Sequence, residues 1–376
     1  MSATARLSGA LDALAARHRL RRLIPAQGLD FASNDYLGLS GSELLTQAAH
    51  DALDRGVPLG AGGSRLLRGN HAEHEALEAE AAAFFGTEAA LFMGGGFQAN
   101  QALFSTLPAK GDLILHDELV HASAHEGMRL GRAETRAFAH NDVDVARDVL
   151  AAWRAEGGTG QVWIAVESVY SMEGSVAPLE DLASLARDDG AVLVVDEAHA
   201  TGVFGNHGAG LAHGLDAEVL TLHTCGKGLG LSGGLLCGPR VMIDTLINRA
   251  RPFIFATAPA PLTAALVRAA LRALQSDPSL QAAAQTRVAH AHVAAKAQLG
   301  LEGLDSQIIP VILRDDERTM ETAKALQARG FDVRGIRPPT VPRGTSRLRI
   351  SITGNVTKAD ISALFAAISD IQQEQP

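Results

Sequence analysis

Most of the chain alternates between two kinds of apolar pattern. Continuous apolar runs, which are typical of strands buried on both faces of a sheet, occur at 89–93, 112–117, 161–166 and 191–195. Other segments, such as 143–157 and 178–190, have apolar positions at helical spacing. This alternation predicts an α/β fold with a mostly parallel central sheet and helices on both of its faces.

Further elements are predicted towards both ends of the chain. Residues 5–22 fit a helix with a basic end, and 29–40 fit a short strand that runs into a turn. Beyond residue 276 strands and helices alternate again, which predicts a smaller C-terminal α/β domain. The expected parts are an N-terminal helix and arm (1–37), a large domain (38–275) and a small domain (276–376).

Composition narrows the class of protein. The net charge of −9 over 376 residues argues against a general nucleic-acid binder, because such proteins present a basic surface. No apolar run approaches the roughly 18 residues of a membrane span. The two cysteines, Cys225 and Cys237, match neither a disulfide framework nor a metal-binding pattern. We therefore expect a cytoplasmic protein with no metal site and no membrane partner.

Polar side chains follow several predicted strands, at the ends where open parallel sheets bind their ligands. These side chains are His121, Ser171, Asp196 and His199. The run at 89–93 leads instead into a glycine turn and a helix. Free N–H groups at Gly96 and Phe97 would favour a phosphate there.

A single lysine lies in the glycine-rich stretch HTCGKGLGLSGG, at 223–234. The amine of Lys227 could form a Schiff base with pyridoxal phosphate, and Asp196 could keep the ring nitrogen of that cofactor protonated. Thr224 and the turn at 94–97 could bind the phosphate, and His121 could cover the ring. The alternatives are a solvated surface lysine, a helix-capping Asp196, ordinary polar histidines and a turn that only joins strand to helix.

Ten segments, in order over nearly the whole chain, are together specific to one family. They are LRRLIP, SNDYLGLS, GAGGSRLLRGN, GFQANQA, HASAHEG, ESVYSMEG, VDEAHATGVFGNHGAG, TCGKGLGLSGG, RPFIFATAPAP and GIRPPTVPRGTSRLRISIT. On these segments the chain resembles the α-oxoamine synthases, which are pyridoxal 5'-phosphate enzymes. The resemblance implies the PLP-dependent transferase fold type I.

The resemblance also implies a role for each matching residue. Lys227 is similar to the lysine that holds the cofactor, Asp196 to the partner of the ring nitrogen, and His121 to the histidine stacked on the ring. The other implied cofactor contacts are Gly96, Phe97 and Thr224 at the phosphate, Ser171 and His199 at the phenolic oxygen, and Thr257 at the phosphate of the partner subunit. The implied substrate-binding residues are Arg21, Asn34, His121, Thr340 and Arg349.

Members of the family join an amino acid to an acyl thioester with loss of carbon dioxide. The segment GIRPPTVP favours the member that uses L-alanine and a pimeloyl thioester, carried by CoA or by acyl carrier protein. The members 5-aminolevulinate synthase, 2-amino-3-ketobutyrate CoA ligase and serine palmitoyltransferase stay open, because they share the catalytic core. A catalytically silent binding protein of the same fold is the alternative from another class. The family likeness further implies a homodimer with shared active sites.

Overall fold

The computed structural model describes residues 2–374, and the chain divides into two compact units. The larger unit comprises Asp35–Ser171 and Ser175–Ala283. The smaller unit comprises Met1–Asn34, Met172–Gly174 and Ala284–Pro376. The boundaries predicted from sequence, at residues 37 and 275, differ from these, and the three-part division stays a prediction.

Strands and helices alternate along most of the described chain. The strands are β1 (Leu29–Asp30), β2 (Ala89–Met93), β3 (Leu113–Asp117), β4 (Glu134–Phe138), β5 (Val162–Glu167), β6 (Val192–Asp196), β7 (Glu218–Thr224), β8 (Gly234–Gly238), β9 (Ile308–Arg314), β10 (Phe331–Asp332), β11 (Arg334–Ile336) and β12 (Ser346–Ser351). The α-helices are α1 (Ala3–Ala15), α2 (Glu43–Asp54), α3 (Ala72–Phe85), α4 (Gly96–Thr106), α5 (Ala122–Leu130), α6 (Val143–Ala155), α7 (Leu179–Asp189), α8 (Arg240–Arg249), α9 (Arg251–Ile254), α10 (Pro261–Ser276), α11 (Pro278–Leu299), α12 (Asp316–Ala328) and α13 (Lys358–Glu374).

The larger unit contains a seven-stranded sheet in the order β2-β8-β7-β6-β5-β3-β4. The pairs from β7 through β6, β5 and β3 to β4 are parallel. Strand β8 is antiparallel to both of its neighbours, β7 and β2. Because β8 reverses the direction on both sides, β2 points the same way as the parallel strands. The predicted mostly parallel sheet is confirmed.

Alternate side chains of the central strands enter two separate apolar cores. Leu113 and Leu115 of β3 pack on one face, in the same core as Leu182 of α7. Ile114, between them, packs on the other face with Leu103 of α4. Successive side chains of a strand point to opposite faces, so both faces are covered by helices, as the continuous apolar runs predict. Full burial of each such side chain contributes about 2 kcal/mol.

The smaller unit has its own sheet and core. Strands β11, β12 and β9 form an antiparallel sheet in that order, and β1 pairs in parallel with β10. Its core joins Phe31, Leu326 of α12, Ile350 of β12 and Phe365 of α13, and each of these side chains is 0% exposed. The strand–helix alternation predicted beyond residue 276 is present in this unit.

Several elements differ from the sequence-based expectation. Helix α1 ends at Ala15 instead of reaching residue 22, because His18 takes a left-handed conformation with φ of 55° and no residue of α1 is buried. Helices α2 and α5 and strands β4 and β7 were not predicted. Strand β4 lies at the sheet edge with mostly exposed, polar side chains, so it lacks the apolar run that revealed the central strands. Within residues 2–374 no helix has both the length and the apolar character to cross a membrane.

Candidate active site

The carboxyl ends of β2, β3, β5, β6 and β7 lie along one edge of the sheet. Glu167 is in register with Asp196, and Asp196 with Leu222. Met93 of β2 and Thr224 of β7 both stand opposite Gly234 of β8. Neighbouring strands are about 4.8 Å apart, so the groups that follow these strands lie close together at this edge.

Asp196 ends β6 with a carboxylate that is held by two donors. Its Oδ1 accepts a hydrogen bond from the N–H of Ala198 at 3.0 Å. Its Oδ2 accepts one from Asn100 Nδ2 of α4 at 2.9 Å. The Ala198 contact is the local turn expected of a capping aspartate, but the Asn100 contact crosses to another element. The carboxylate is therefore orientated from two sides and remains partly exposed.

The pKa of His121 is shifted by the charges of two other candidate site residues, Asp196 and Lys227. Desolvation lowers the pKa of its imidazole most strongly, the charge of Asp196 raises it, and the charge of Lys227 lowers it. Asp196 and Lys227 therefore both lie within electrostatic reach of His121. His121 caps α5, and its Nδ1 accepts a hydrogen bond from the N–H of Ser123 at 3.2 Å. A neutral ring in this position carries its proton on Nε2.

Lys227 lies in a tight turn directly after β7. The N–H of Cys225 donates to the carbonyl of Gly233 at 3.0 Å, and the N–H of Gly230 donates to the carbonyl of Lys227 at 2.9 Å. Gly230 has φ of 69°, and a Cβ there would lie 2.5 Å from the backbone nitrogen of Ser40. Glycine is therefore required at position 230 by positive φ and by close approach of two backbones. Lys227 itself is half-buried.

The start of α4 forms a cradle that contains little side-chain volume. Its N-cap is Gly95, which has no side chain to cap the first-turn N–H groups. A Cβ on Gly96 would lie 2.4 Å from Cγ2 of Thr224, so the threonine lies directly against the helix start. Phe97, the next residue, is 52% exposed. N–H groups of this kind, with a neighbouring hydroxyl, suit a phosphate.

Replacing Gly96 by alanine is expected to weaken binding of pyridoxal phosphate about tenfold or more. The new methyl group must displace Thr224, and one charge-assisted hydrogen bond is worth about 1.5–3 kcal/mol. Absorbance titration of the cofactor-free protein with pyridoxal phosphate measures the affinity. Gly95→Ala is the matched control, since nothing lies within 4 Å of a Cβ on Gly95. Equal affinities of the two variants would contradict a cradle at Gly96.

His199 is buried, and its ring is held by a residue that sequence reasoning missed. The hydroxyl of Tyr36 lies 2.6 Å from His199 Nδ1, and both side chains are at most 3% exposed. Tyr36 belongs to the SNDYLGLS segment, but no sequence pattern relates it to a histidine 163 residues away. Ser171 is half-buried, and its N–H donates to Oε2 of Glu167 at 3.1 Å.

Glu197 is a second residue that the sequence analysis did not single out. It is fully buried and accepts hydrogen bonds at 2.5 Å from Ser168 Oγ and from the N–H of Ala212. Desolvation raises its pKa to about 7, against the lowering effect of these bonds. It anchors the glycine-rich loop near Gly210, where a Cβ would lie 2.6 Å from its Cδ. The feature of the sequence that could have pointed to Glu197 is its position directly after Asp196.

The residues expected to bind substrate form two pairs in the smaller unit. Arg349 is 7% exposed, and its guanidinium donates to Asn34 Oδ1 at 3.0 Å and to Ser351 Oγ at 2.7 Å. Arg21 is exposed, and it donates to Thr340 Oγ1 at 2.9 Å. Each arginine thus meets neutral oxygen atoms in these bonds. Thr257, in the larger unit, is exposed in the loop after α9.

The larger unit's groups fit pyridoxal phosphate. Gly96 lets the start of α4 pack directly against Thr224, which places the first-turn N–H groups of the helix beside the threonine side chain. Asp196 supplies a carboxylate acceptor and Lys227 an amine, and both act on the same imidazole of His121. Such a donor set matches a phosphate, a ring nitrogen and an aldehyde.

Comparison with known proteins gives full-length matches. A relative from Anaeromyxobacter dehalogenans (strain 2CP-1 / ATCC BAA-258), "8-amino-7-oxononanoate synthase", is 39% identical over 382 residues, covering 98% of this chain and 94% of the relative. Serine palmitoyltransferase from S. paucimobilis, solved with a bound PLP–myriocin aldimine, has a TM-score of 0.88 at 27% identity and covers 100% of this chain and 99% of that one. The 8-amino-7-oxononanoate synthase of Francisella tularensis has a TM-score of 0.76 at 27% identity, covering 93% and 98%.

These matches agree with the ten sequence segments. The predicted fold type I and the family resemblance are confirmed. The family model described as aminotransferase class I and II matches residues 26–368. The chain therefore belongs to the class I and II aminotransferase family.

Proposed function

We propose that this chain is an 8-amino-7-oxononanoate synthase of biotin biosynthesis. It condenses L-alanine with a pimeloyl thioester and releases carbon dioxide and the free thiol carrier. The grouping of Lys227, Asp196 and His121 at the carboxyl ends of the strands carries this proposal. The near full-length similarity to a relative of that name supports it.

Pyridoxal phosphate, when bound, supplies an electron sink that stabilises negative charge on the α-carbon of the amino acid. Lys227 Nζ would hold the cofactor covalently, and as a free amine it would serve as the base for the proton on that carbon. The Asp196 carboxylate would accept a hydrogen bond from the ring nitrogen, and its two donors keep it in place. His121 would cover the ring, and Thr224 with the N–H groups of Gly96 and Phe97 would bind the phosphate.

Arg349 is the proposed site for the carboxylate of L-alanine. Its guanidinium is buried and orientated by Asn34 and Ser351, which suits a small, fixed anion. Arg21, which is exposed and bonded to Thr340, suits the longer acyl thioester. The separate bonding of these two arginines supports separate roles.

Replacing Arg349 by alanine is expected to raise the KM for L-alanine at least about tenfold, since a bidentate charge-assisted contact is lost. The KM for the pimeloyl thioester should change little. Steady-state kinetics with each substrate varied in turn measures both values. The Arg21→Ala variant is the matched comparison. It should raise the KM for the pimeloyl thioester and leave the KM for L-alanine nearly unchanged. A raised KM for the thioester alone in Arg349→Ala would contradict the assignment.

The active form is proposed to be a homodimer in which Thr257 binds the phosphate of the partner's cofactor. The exposure of Thr257 in the structure is consistent with a role outside its own subunit. Mixed dimers of Lys227→Ala and Thr257→Ala chains test this. Sites that combine the two intact residues should bind the cofactor better than those in dimers of Thr257→Ala alone.

The proposed reaction is tested by thiol release from the cofactor-loaded protein. L-Alanine with pimeloyl-CoA is compared with glycine and succinyl-CoA, and with L-serine and palmitoyl-CoA. Release with the first pair only supports the proposal. Release with another pair only would reassign the substrates while leaving the family unchanged. The serine pair is included because the overall structure also resembles a serine palmitoyltransferase.

The same assay with pimeloyl acyl carrier protein distinguishes the two thioester donors. A higher kcat/KM with the carrier protein than with CoA would identify it as the preferred donor. If no substrate pair gives thiol release, and the protein stays colourless after addition of pyridoxal phosphate, the result would favour a non-catalytic binding protein.

A further inference from the structure

Tyr36 and His199 form a pair of buried aromatic groups in the larger unit. Tyr36 is 1% exposed and His199 is 3% exposed, and their ring centroids lie 6.1 Å apart. The 2.6 Å separation of the tyrosine hydroxyl and Nδ1 is short for a hydrogen bond between neutral groups. A bond this short, out of solvent, fixes the orientation of the imidazole ring.

The direction of this bond decides which nitrogen of His199 carries the proton. A phenolic O–H, with a pKa near 10, is a far stronger acid than the N–H of a neutral imidazole. The more acidic group makes the better donor, so Tyr36 donates and Nδ1 accepts. A neutral imidazole that accepts at Nδ1 carries its proton on Nε2.

We propose that Tyr36 is a positioning residue that holds His199 in the Nε2–H tautomer, so that His199 acts as a donor towards the phenolic oxygen of the cofactor. The proposal rests on the proposed function and on the family resemblance, which implies that His199 lies at the phenolic oxygen of the ring. Without the hydroxyl, His199 can place its proton on Nδ1 and present a lone pair, which would repel the phenolate.

The chain offers a matched control for this hydroxyl. Tyr36 and Tyr170 are its two tyrosines, and both are at most 1% exposed. Tyr170 packs edge-on against His140, with ring centroids 4.4 Å apart, and not against His199. Tyr170→Phe therefore removes the same group from an equally buried ring without touching His199.

The main readout is the pH dependence of the visible absorbance of the bound cofactor, which does not require turnover. Loss of a donor to the phenolic oxygen destabilises the less protonated form of the cofactor, because that form concentrates negative charge on this oxygen. In Tyr36→Phe the midpoint of the absorbance change should move upward by about one pH unit, a typical effect of one lost hydrogen bond. Tyr170→Phe should titrate like the wild type. An unshifted Tyr36→Phe variant would overturn the proposal.

A second measurement does not depend on a variant of Tyr36 that folds. Wild-type protein labelled with 13C at the tyrosine Cζ should give two resonances, which the Tyr170→Phe variant assigns. A donating hydroxyl moves the Cζ resonance of Tyr36 downfield of that of free tyrosine, whereas an accepting one moves it upfield. An upfield position would overturn the proposal. If the wild type binds no pyridoxal phosphate at all, the proposed function fails, and the tyrosine resonance still reports the direction of the bond.

Discussion

Replacing Lys227 by alanine is expected to abolish turnover, with a loss of at least about 10⁴-fold in kcat. The variant would lose the two proposed roles of Lys227, which are the covalent attachment of the cofactor and the removal of the α-proton. Positioned proton transfer alone is worth about 10²–10⁴-fold. The tight turn around Lys227 should still form, because its hydrogen bonds come from backbone groups. Thiol release measures the activity, and absorbance of the bound cofactor measures the attachment.

Two controls separate the chemistry of Lys227 from a general loss of charge. Lys296→Ala removes an exposed lysine whose ion pair with Glu302 lies on the surface, and it should leave kcat unchanged. Addition of a small primary amine to Lys227→Ala should restore part of the proton transfer. Wild-type turnover of Lys227→Ala would refute the assignment of this lysine.

Replacing Asp196 by asparagine is expected to lower kcat by about 10²–10³-fold while the protein stays folded. The amide oxygen can still accept the N–H of Ala198, so the local turn is kept. The negative charge opposite the ring nitrogen is lost, and the ring then accepts electrons poorly, which removes an electrostatic contribution of the size typical for catalytic sites. Steady-state kinetics at saturating cofactor measures this effect.

The same substitution should also change the titration of His121. The charge of Asp196 raises the pKa of His121, so its removal lets desolvation and Lys227 lower that pKa further. His121 then stays neutral to a lower pH, and any acid limb of the pH profile that reports its protonation moves down. Asp216→Asn is the control, because its carboxylate is 91% exposed in a surface ion pair. An Asp196→Asn variant with the wild-type kcat would contradict its role at the ring nitrogen.

The fold was readable from sequence where burial is continuous. Strands β3, β5 and β6 are buried on both faces, so each appears as an unbroken apolar run followed by a polar residue. Edge strand β4 lacks that signal. Helix α1 is shorter than its apolar periodicity predicts, and none of its residues is buried. Local pattern therefore predicted most of the buried strands, but it missed β7, although Leu220 and Leu222 of that strand lie in the core.

The site was readable only in part, for a different physical reason. Lys227 and Asp196 stand out because glycines and an apolar strand surround them. The partners that orientate the site are distant in sequence: Tyr36 meets His199 across 163 residues, and Asn100 meets Asp196 across 96. No periodicity relates such residues, and the pairing of Arg349 with Asn34 became visible only in the structure.

The two apolar cores of the sheet and the candidate site are built from different parts of the chain. Side chains up to the last residue of each central strand are committed to packing, while the reacting groups begin at or after that residue. A lineage can therefore exchange loop residues for a different acyl chain or amino acid without losing buried apolar area. Descendants with new substrates are expected to keep the strands and to diverge in the segments that follow them.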